Sequence, residues 1–595
     1  MKKNIRAICL ALAMLLSSAS FAMMPAAEPA DSSVVIYEEN FEQYDSIASY
    51  TDLGWAESFS GNKVAATIET VNGSKALKMD DADAWSSLRF VGASAMKGLR
   101  SYTVSMDVLL ENLTGIFGFI YNNAVDGNNQ QNTGMIQFRK QDGIYYVANG
   151  GKNWNSYYCA PFEGGYSSWG GQWAPVANFL NGEDLIGTAF RLELAIDNFA
   201  KTCALSINGV LVNTCENIAV NVNGIDFLTQ KQISYVDNIK VTGVKYEDAK
   251  VGEVIYSNTF DSYTAEDSTN LLEELGWSNF FNNSNANFTS TANGSVLCAP
   301  KGWSAAEIVS ADQLNGVQQY TVSMDMTVRS AMGHPFGLIT NWNAKNGTSW
   351  PKNCNFVQIR PGYNADQTND YVIRSGCYFA GGQKVSSDND VSIGGMNALL
   401  DQKIHLAVEV DMLNKTLRVY IDGALLYTYT HANFSIYNSG ICLLAQSGSV
   451  EIDNLYVTEG CIMSEIAMTA EGHQRTVSAE TTYGLRFISS IKSVENVESV
   501  CIRVVAKSAD GSTKTFDFPG KTVYTSVTGM ENGTEVTYLA SAYEADYLYC
   551  LAIKDIPVNL GTVTYTATPY VTMESGQTVC FAPISFTYTG AELQA

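Results

Sequence analysis

Glu409-Val410-Asp411 sets two carboxylates two residues apart, and on a β-strand residues at that spacing share one face. Carboxylates so placed are what a strand would use to attack or protonate a glycosidic bond. No third carboxylate follows in this stretch, and Asn414 stands three residues after Asp411. The corresponding earlier stretch, Leu194-Ala195-Ile196-Asp197-Asn198-Phe199, has no glutamate, and Glu451-Ile452-Asp453-Asn454 also lacks a third carboxylate. A nucleophile and a separate acid must both be supplied, and none of these stretches continues to a third carboxylate, so hydrolysis by this motif is not expected. The histidines, His334, His405, His431 and His473, are scattered singly, and His405 reads as a structural residue near a core strand. No H-E-x-x-H, C-x-x-C, G-x-S-x-G or phosphate loop appears, which removes the common zinc, redox, serine-hydrolase and nucleotide sites. A carboxylate pair outside known spacings stays as the catalytic alternative.

Residues suited to binding are more plentiful. Between Tyr145 and Pro175, the rings of Tyr145, Tyr146, Trp154, Tyr157, Tyr158, Tyr166, Trp169 and Trp173 sit among Gly, Asn and Ser. Glycine and asparagine break such a stretch into loops. Aromatic rings on loops offer flat faces to the C–H bonds of sugars, while amides read the hydroxyls. Farther on, Trp342 and Trp350 in "NWNAKNGTSWPKN" are the corresponding candidates. A polar set also occurs twice, Asp107, Gln137 and Arg139 against Asp325, Gln358 and Arg360. Thr103, Ser105 and Asp107 share a strand face and could line a concave sheet surface; the competing reading is an Arg–Asp pair stapling neighbouring strands. Asp237-Asn238 and Asp453-Asn454 are expected near Glu42 and Asp261, and clustered carboxylates and amides suit a structural calcium. An Asx turn or a bulge is the commoner use of Asp-Asn.

The elements that must carry these residues are strands. In Tyr102–Asp107 the apolar Tyr102, Val104 and Met106 alternate with Thr103, Ser105 and Asp107, a period of two. Leu417, Val419 and Ile421 do the same ahead of an Asp422-Gly423 turn, and Asn208-Gly209 marks another hairpin. The chain then repeats itself in order. "VIYEENFEQY" from Val35 matches "VIYSNTFDSY" from Val254, "SYTVSMDV" from Ser101 matches "QYTVSMDM" from Gln319, and "FGFIYN" matches "FGLITN". "IQFR" ending at Arg139 matches "VQIR" ending at Arg360, and "VDNIKVTG" matches "IDNLYVTE". A tandem duplication of a unit of roughly two hundred residues is expected. The opening "NFEQY" or "TFDSY", the central "YTVSMDV", the "INGVLV" hairpin and the closing "VDNIKV" resemble concanavalin A-like (laminin-G-like) modules of secreted bacterial carbohydrate-active proteins. The resemblance implies jelly-roll sandwiches at 34–247 and 252–459. Family 16 glycoside hydrolases share that fold and carry an E-x-D-x-x-E strand, which is the motif found incomplete here. From 460 to 595 the alternating "YGLRFISSI", "VCIRVVAKS" and "GTVTYTATPYVTM" predict an immunoglobulin-like sandwich, similar to accessory modules of exported clostridial proteins.

The fold class is therefore all-β: two tandem concanavalin A-like jelly rolls and a smaller Ig-like sandwich. Residues 1–22 read as a signal peptide cleaved after Ala22, with Lys2, Lys3 and Arg6 before an apolar run, so a secreted protein is expected. No later stretch is apolar and long enough to insert in a membrane. With 36 Lys and Arg against 60 Asp and Glu, a net charge of −24 disfavours nucleic acid as a partner. Eleven cysteines follow the signal, an odd number, and a Cys203–Cys215 disulfide would need a bulge in the hairpin between them. The expected partner is a polysaccharide or glycan, with a protein-binding adhesin as the rival; no cofactor is expected beyond that calcium.

Overall fold

The computed structural model describes residues 33–592 apart from internal stretches (59–63, 82–84, 123–132, 154–155, 158–165, 169–170, 221–223, 264–268, 282–286, 331–334, 363–369, 379–383, 387–390, 396–398 and scattered single or paired positions). Residues 1–22 lie outside the described residues. The chain is all-β, and its named strands pair antiparallel throughout.

In the first sandwich two long strands, Leu99–Tyr121 and Gly224–Lys245, lie side by side and serve both layers. Residues 101–109 pair with Ala189–Asp197, which leads to Thr202–Ile207 and Val210–Glu216. Ser74–Asp81 and Ala65–Val71 extend that layer on the other side. Residues 116–121 pair instead with Thr133–Gln141, followed by Ile144–Asn153 and Gly171–Pro175. Register shifts at Gln230/Gln232 and Ile233/Ser234 mark where the pair passes between layers, which is the use to which bulges are commonly put.

The second sandwich has the same strand order. One layer runs Phe288–Ser290, Val296–Cys298, Ser449–Glu459, Gln319–Ser330, Lys403–Asp411, Thr416–Ile421, Ala424–Thr430. The other runs Ser278–Asn279, Ser304–Val309, Ile441–Ala445, Phe336–Thr340, Cys354–Pro361, Asp370–Tyr378, Lys384–Ser386.

The period-two reading holds at atomic level. Tyr102, Val104, Met106 and Val108, like Tyr320, Val322, Met324 and Met326, point into the two cores. The tyrosines end in equivalent buried bonds, Tyr102 to Asn122 Oδ1 (2.9 Å) and Tyr320 to Asn341 Oδ1 (3.1 Å). The hairpin at Asn208-Gly209 has both residues at positive φ (50° and 76°), as does Asp422-Gly423 (48° and 78°), the left-handed pair a tight hairpin turn requires. The hairpin after Cys203 contains a bulge at Leu205/Ser206 that sets Cys203 opposite Cys215. Both are buried thiols, and Cys215 donates to the Asn149 carbonyl (3.1 Å).

The C-terminal sandwich packs Met468–Ala479, Thr482–Ile491 and Tyr547–Pro557 against a layer built on Val497–Ser508 and Val563–Met573. It sits on the outer face of the second jelly roll. Ala407 and Tyr420 of that face share a core with Ile462, Met463 and Leu485, and Gln577 donates to Ser323 Oγ (3.1 Å). The contact explains a difference between the matched strands. Ala189–Asp197 alternates exposed and buried residues, whereas Lys403–Asp411 is buried on both faces from Leu406 onward.

Candidate functional site

The Glu409–Asp411 strand carries its carboxylates into this junction. Glu409 accepts from the Ser464 backbone N–H (2.8 Å) and from the Tyr420 hydroxyl (3.0 Å), with Arg418 at 3.5 Å. Burial pushes its carboxyl above the ordinary range, against the opposing pull of those donors. Asp411 is occupied within its own turn, accepting from the backbone and side chain of Asn414. A ligand has no approach to either group, and the pair is structural.

An open polar groove lies on the same sheet face, and none of its lining residues comes from the C-terminal sandwich. Its volume is about 310 Å³, and Asp325, Thr327 and Arg329 from one strand face Lys403, Glu451 and Asp453 from its neighbours. Strand alternation puts Asp325, Thr327 and Arg329 together, because their partners Met324, Met326 and Val328 fill the core. The cross-strand register adds the rest, pairing Asp325 with His405 on one side and Asp453 on the other.

Every charge in the groove is held by another. Asp325 receives His405 Nδ1 (2.7 Å), the Lys403 ammonium (2.7 Å) and the Asn454 amide (2.8 Å). Lys403 also reaches Asp453 (3.3 Å). Arg329 bridges Glu451 (2.5 Å) and Asp401 (2.7 Å), and Ser295 donates to Glu451 as well. Burial works to raise the Asp325 carboxyl, but the bonds from His405, Lys403 and Asn454 prevail and hold it at about 2. Glu451 is likewise lowered, burial being outweighed by Ser295 and Arg329. Asp453 goes the other way, raised by burial despite Lys403. The depressed Asp325 contributes stability that is present above its ordinary value of 3.8 and lost as pH falls through about 2. Asp325→Asn should therefore cost about 2 kcal/mol in urea unfolding at pH 6, with the deficit shrinking toward pH 2.

The sequence-derived polar set is divided between the two layers. Asp107 pairs with Arg191 (3.1 Å) and accepts from Asn238 (2.8 Å), while Gln137 and Arg139 belong to the other layer. Gln358 is 2 % exposed on the matching strand beside Arg360, shut off from solvent. The aromatic candidates also change. Trp173 is 3 % exposed, its ring 5.4 Å beneath the Arg139 guanidinium. Trp342 is 5 % exposed and packs on Phe280 in a small apolar cluster with Phe281, Ile339 and Leu444. Neither can stack on a ligand.

Much of 145–175 is strand rather than loop, since backbone pairing of Ile144–Asn153 with Ser156–Tyr157 and Gly171–Pro175 overrides the local preference of its glycines. Trp154, Tyr158 and Trp169 lie outside the described residues, and Tyr157, Tyr166 and Trp350 are described as strand backbone alone.

No protein-family profile and no curated protein sequence matches the chain. Solved structures similar to it include the carbohydrate-binding module CBM66 of Bacillus subtilis (15 % identity, TM-score 0.22, covering 31 % of this chain and 96 % of that one). Domain 4 of an extracellular GH43 arabinanase from Geobacillus stearothermophilus, in complex with arabinotriose, is 18 % identical (TM-score 0.24, 35 % and 94 %). A β-glucanase of Bacillus licheniformis is 14 % identical (TM-score 0.23, 35 % and 99 %).

The carboxylates expected to bind calcium are engaged by protein. Glu42 and Asp237 both lie 2.8 Å from the Ser74 hydroxyl, and Glu42 accepts from the Lys75 N–H (2.9 Å). Asp261 accepts from Thr259 (2.7 Å), and Asp453 is held by Lys403. Among the described residues no three His, Cys, Asp or Glu are grouped to hold a metal. Asn238 and Asn454 occupy bulges at positive φ (49° and 48°), each donating its N–H to the preceding aspartate.

Sequence reasoning reached Asp325 but missed Arg329, Asp401, Lys403 and Ser295. Extending the alternation past Asp325 would have reached Thr327 and Arg329. The others join through register between strands distant in the chain.

Proposed function

We propose that this is a secreted, non-catalytic glycan-binding protein whose groove around Asp325 takes the hydroxyl groups of a sugar. The groove itself supports the reading. Carboxylates with cations fixed on one side keep free lone pairs for hydroxyl donors, and Lys403 and Arg329 supply donors for ring and hydroxyl oxygens. Such a preformed set, in a cleft near the lower limit of small-ligand sites, costs little to order on binding. Carboxylates pinned by cations make poor proton shuttles near neutral pH, and Glu409 is sealed under the C-terminal sandwich, so binding is favoured over cleavage. The shared strand order fits a duplicated module in which only one copy of this face gained the full charge network.

The test is affinity electrophoresis of the full chain through gels containing soluble polysaccharides. Retardation by at least one polysaccharide is expected, weakened about tenfold by Asp325→Asn, as suits the loss of a charged hydrogen bond worth about 1.5 kcal/mol. Undiminished retardation of a folded Asp325→Asn protein would place the binding elsewhere. In the first sandwich, Trp154→Ala and Trp169→Ala in the same gels test whether its aromatic segment contributes.

A further inference from the structure

The Asp325 groove has a floor. Strand register sets Thr327 there, opposite Glu451 on one side and Lys403 on the other, with Asp325 and Arg329 two residues away on its own strand. The longer charged side chains lean past it: Lys403 reaches Asp325 and Asp453, and Arg329 reaches Glu451 and Asp401. Thr327 is 8 % exposed and lines the groove, and its hydroxyl has no hydrogen-bond partner among the described residues. Buried polar groups are nearly always bonded, so a hydroxyl open on the floor of a cavity marks a place for a ligand atom. In the first sandwich the same position is Leu109, between Ala189 and Tyr235, so this hydroxyl belongs to the second copy alone.

The groove also has a sign. Four carboxylates line it, on Asp325, Asp401, Glu451 and Asp453, against two cations, Arg329 and Lys403. Each cation is shared between two carboxylates, which leaves the set short of positive charge. The shortage is felt at Asp453. Lys403 stands 3.3 Å from it but 2.7 Å from Asp325, to which His405 adds a further bond. Burial raises the Asp453 carboxyl despite Lys403, as happens where countercharge is incomplete. The side chains of Asp453 and Asp401 are 27 % and 68 % exposed, so a ligand can reach both. An anion would be repelled here, an uncharged sugar would leave the excess standing, and a cation would balance it.

We propose that the groove selects an amino sugar whose nitrogen is free and protonated, its ammonium set against Asp453 and an adjacent hydroxyl on Thr327. Asp453 and Thr327 are diagonal neighbours on adjacent strands, about 7–8 Å apart between backbones, a span that one sugar ring bridges. This rests on the groove being a sugar site and adds the class of sugar it takes.

Calorimetric titration of the full chain with a fully deacetylated glucosamine tetramer, and in parallel with its N-acetylated counterpart, tests this at mildly acidic pH, where the amines carry protons and the carboxylates do not. Binding of the amino tetramer at least about tenfold tighter than the acetylated one is expected. Asp453→Asn should weaken the amino tetramer about tenfold, and Thr327→Val, which removes the hydroxyl at nearly constant shape, about threefold. Asp248→Asn, which removes an exposed acid from the segment between the sandwiches, should change nothing and so controls for the general negative field of the chain. Thr327→Val reports even if Asp453→Asn fails to fold. Equal affinity for the two tetramers, both weakened by Asp325→Asn, overturns the amino-sugar selectivity and leaves the groove a sugar site. A folded Asp453→Asn or Thr327→Val that binds the amino tetramer as well as wild type overturns it too, as does an equal loss in Asp248→Asn. Binding of the amino tetramer that Asp325→Asn and Asp453→Asn both leave unchanged overturns the groove itself as the site.

Discussion

Glu409→Ala is expected to destabilise the protein by about 3–5 kcal/mol, the cost of breaking a buried charge cluster from one side. Its carboxylate is fully buried and holds the Ser464 N–H, the Tyr420 hydroxyl and Arg418. Removing it leaves three donors facing a void, at the seam where Ile462, Met463 and Leu485 meet Ala407 and Tyr420. Glu409→Gln should behave differently. Its amide oxygen still accepts from Ser464 and Tyr420, and burial already pushes the wild-type carboxyl above its ordinary range. For a carboxyl raised in the folded state, stability falls as pH rises from its ordinary value through the raised one. The glutamine variant escapes that loss, so its stability should lie within about 1 kcal/mol of wild type at pH 7. Urea unfolding of the two variants separates the roles. A nucleophile would show the reverse pattern, with Glu409→Gln abolishing an activity and leaving stability alone.

Gly337→Ala is the second large effect, expected at about 3 kcal/mol, the upper end of overpacking. A Cβ added at Gly337 would lie 1.9 Å from the Val357 carbonyl oxygen and 3.0 Å from the Gln358 Cα. Those are backbone atoms in the neighbouring strand and cannot swing aside. Gly118 in the first sandwich meets the same geometry, 1.9 Å from the Ile136 carbonyl. Both glycines follow a core phenylalanine, Phe117 within Leu99–Tyr121 and Phe336 at the start of Phe336–Thr340. Thermal unfolding of the two alanine variants should show comparable losses. Near-neutral behaviour at both positions would mean the strands approach less closely than described.

The architecture was legible because strand alternation and hairpin turns are local. Tyr102, Val104 and Met106 declare a buried face without reference to anything distant, and Asn-Gly or Asp-Gly declares its turn. Sites were less legible because they depend on register and on what covers a face. Asp325 and Lys403 are 78 residues apart and meet only through strand pairing. Glu409 looked like chemistry in the sequence because nothing near it announces that a sandwich beginning fifty residues later will cover it. Trp173 and Trp342 misled for a related reason. Glycine-rich surroundings read as exposed loop, yet pairing at a sheet edge and a local apolar cluster bury both rings. The Asp-Asn pairs were read with calcium and with bulges in view, and Asn238 and Asn454 both sit in bulges at positive φ.

The most direct test is to incubate the full chain with a panel of soluble polysaccharides and measure retention and new chain ends together. Retention by at least one polysaccharide, weakened about tenfold in Asp325→Asn, with no rise in reducing ends or unsaturated products, is the predicted result. New chain ends that track the protein through purification would contradict it, and would mean a catalytic centre outside both the Asp325 groove and the sealed Glu409 strand.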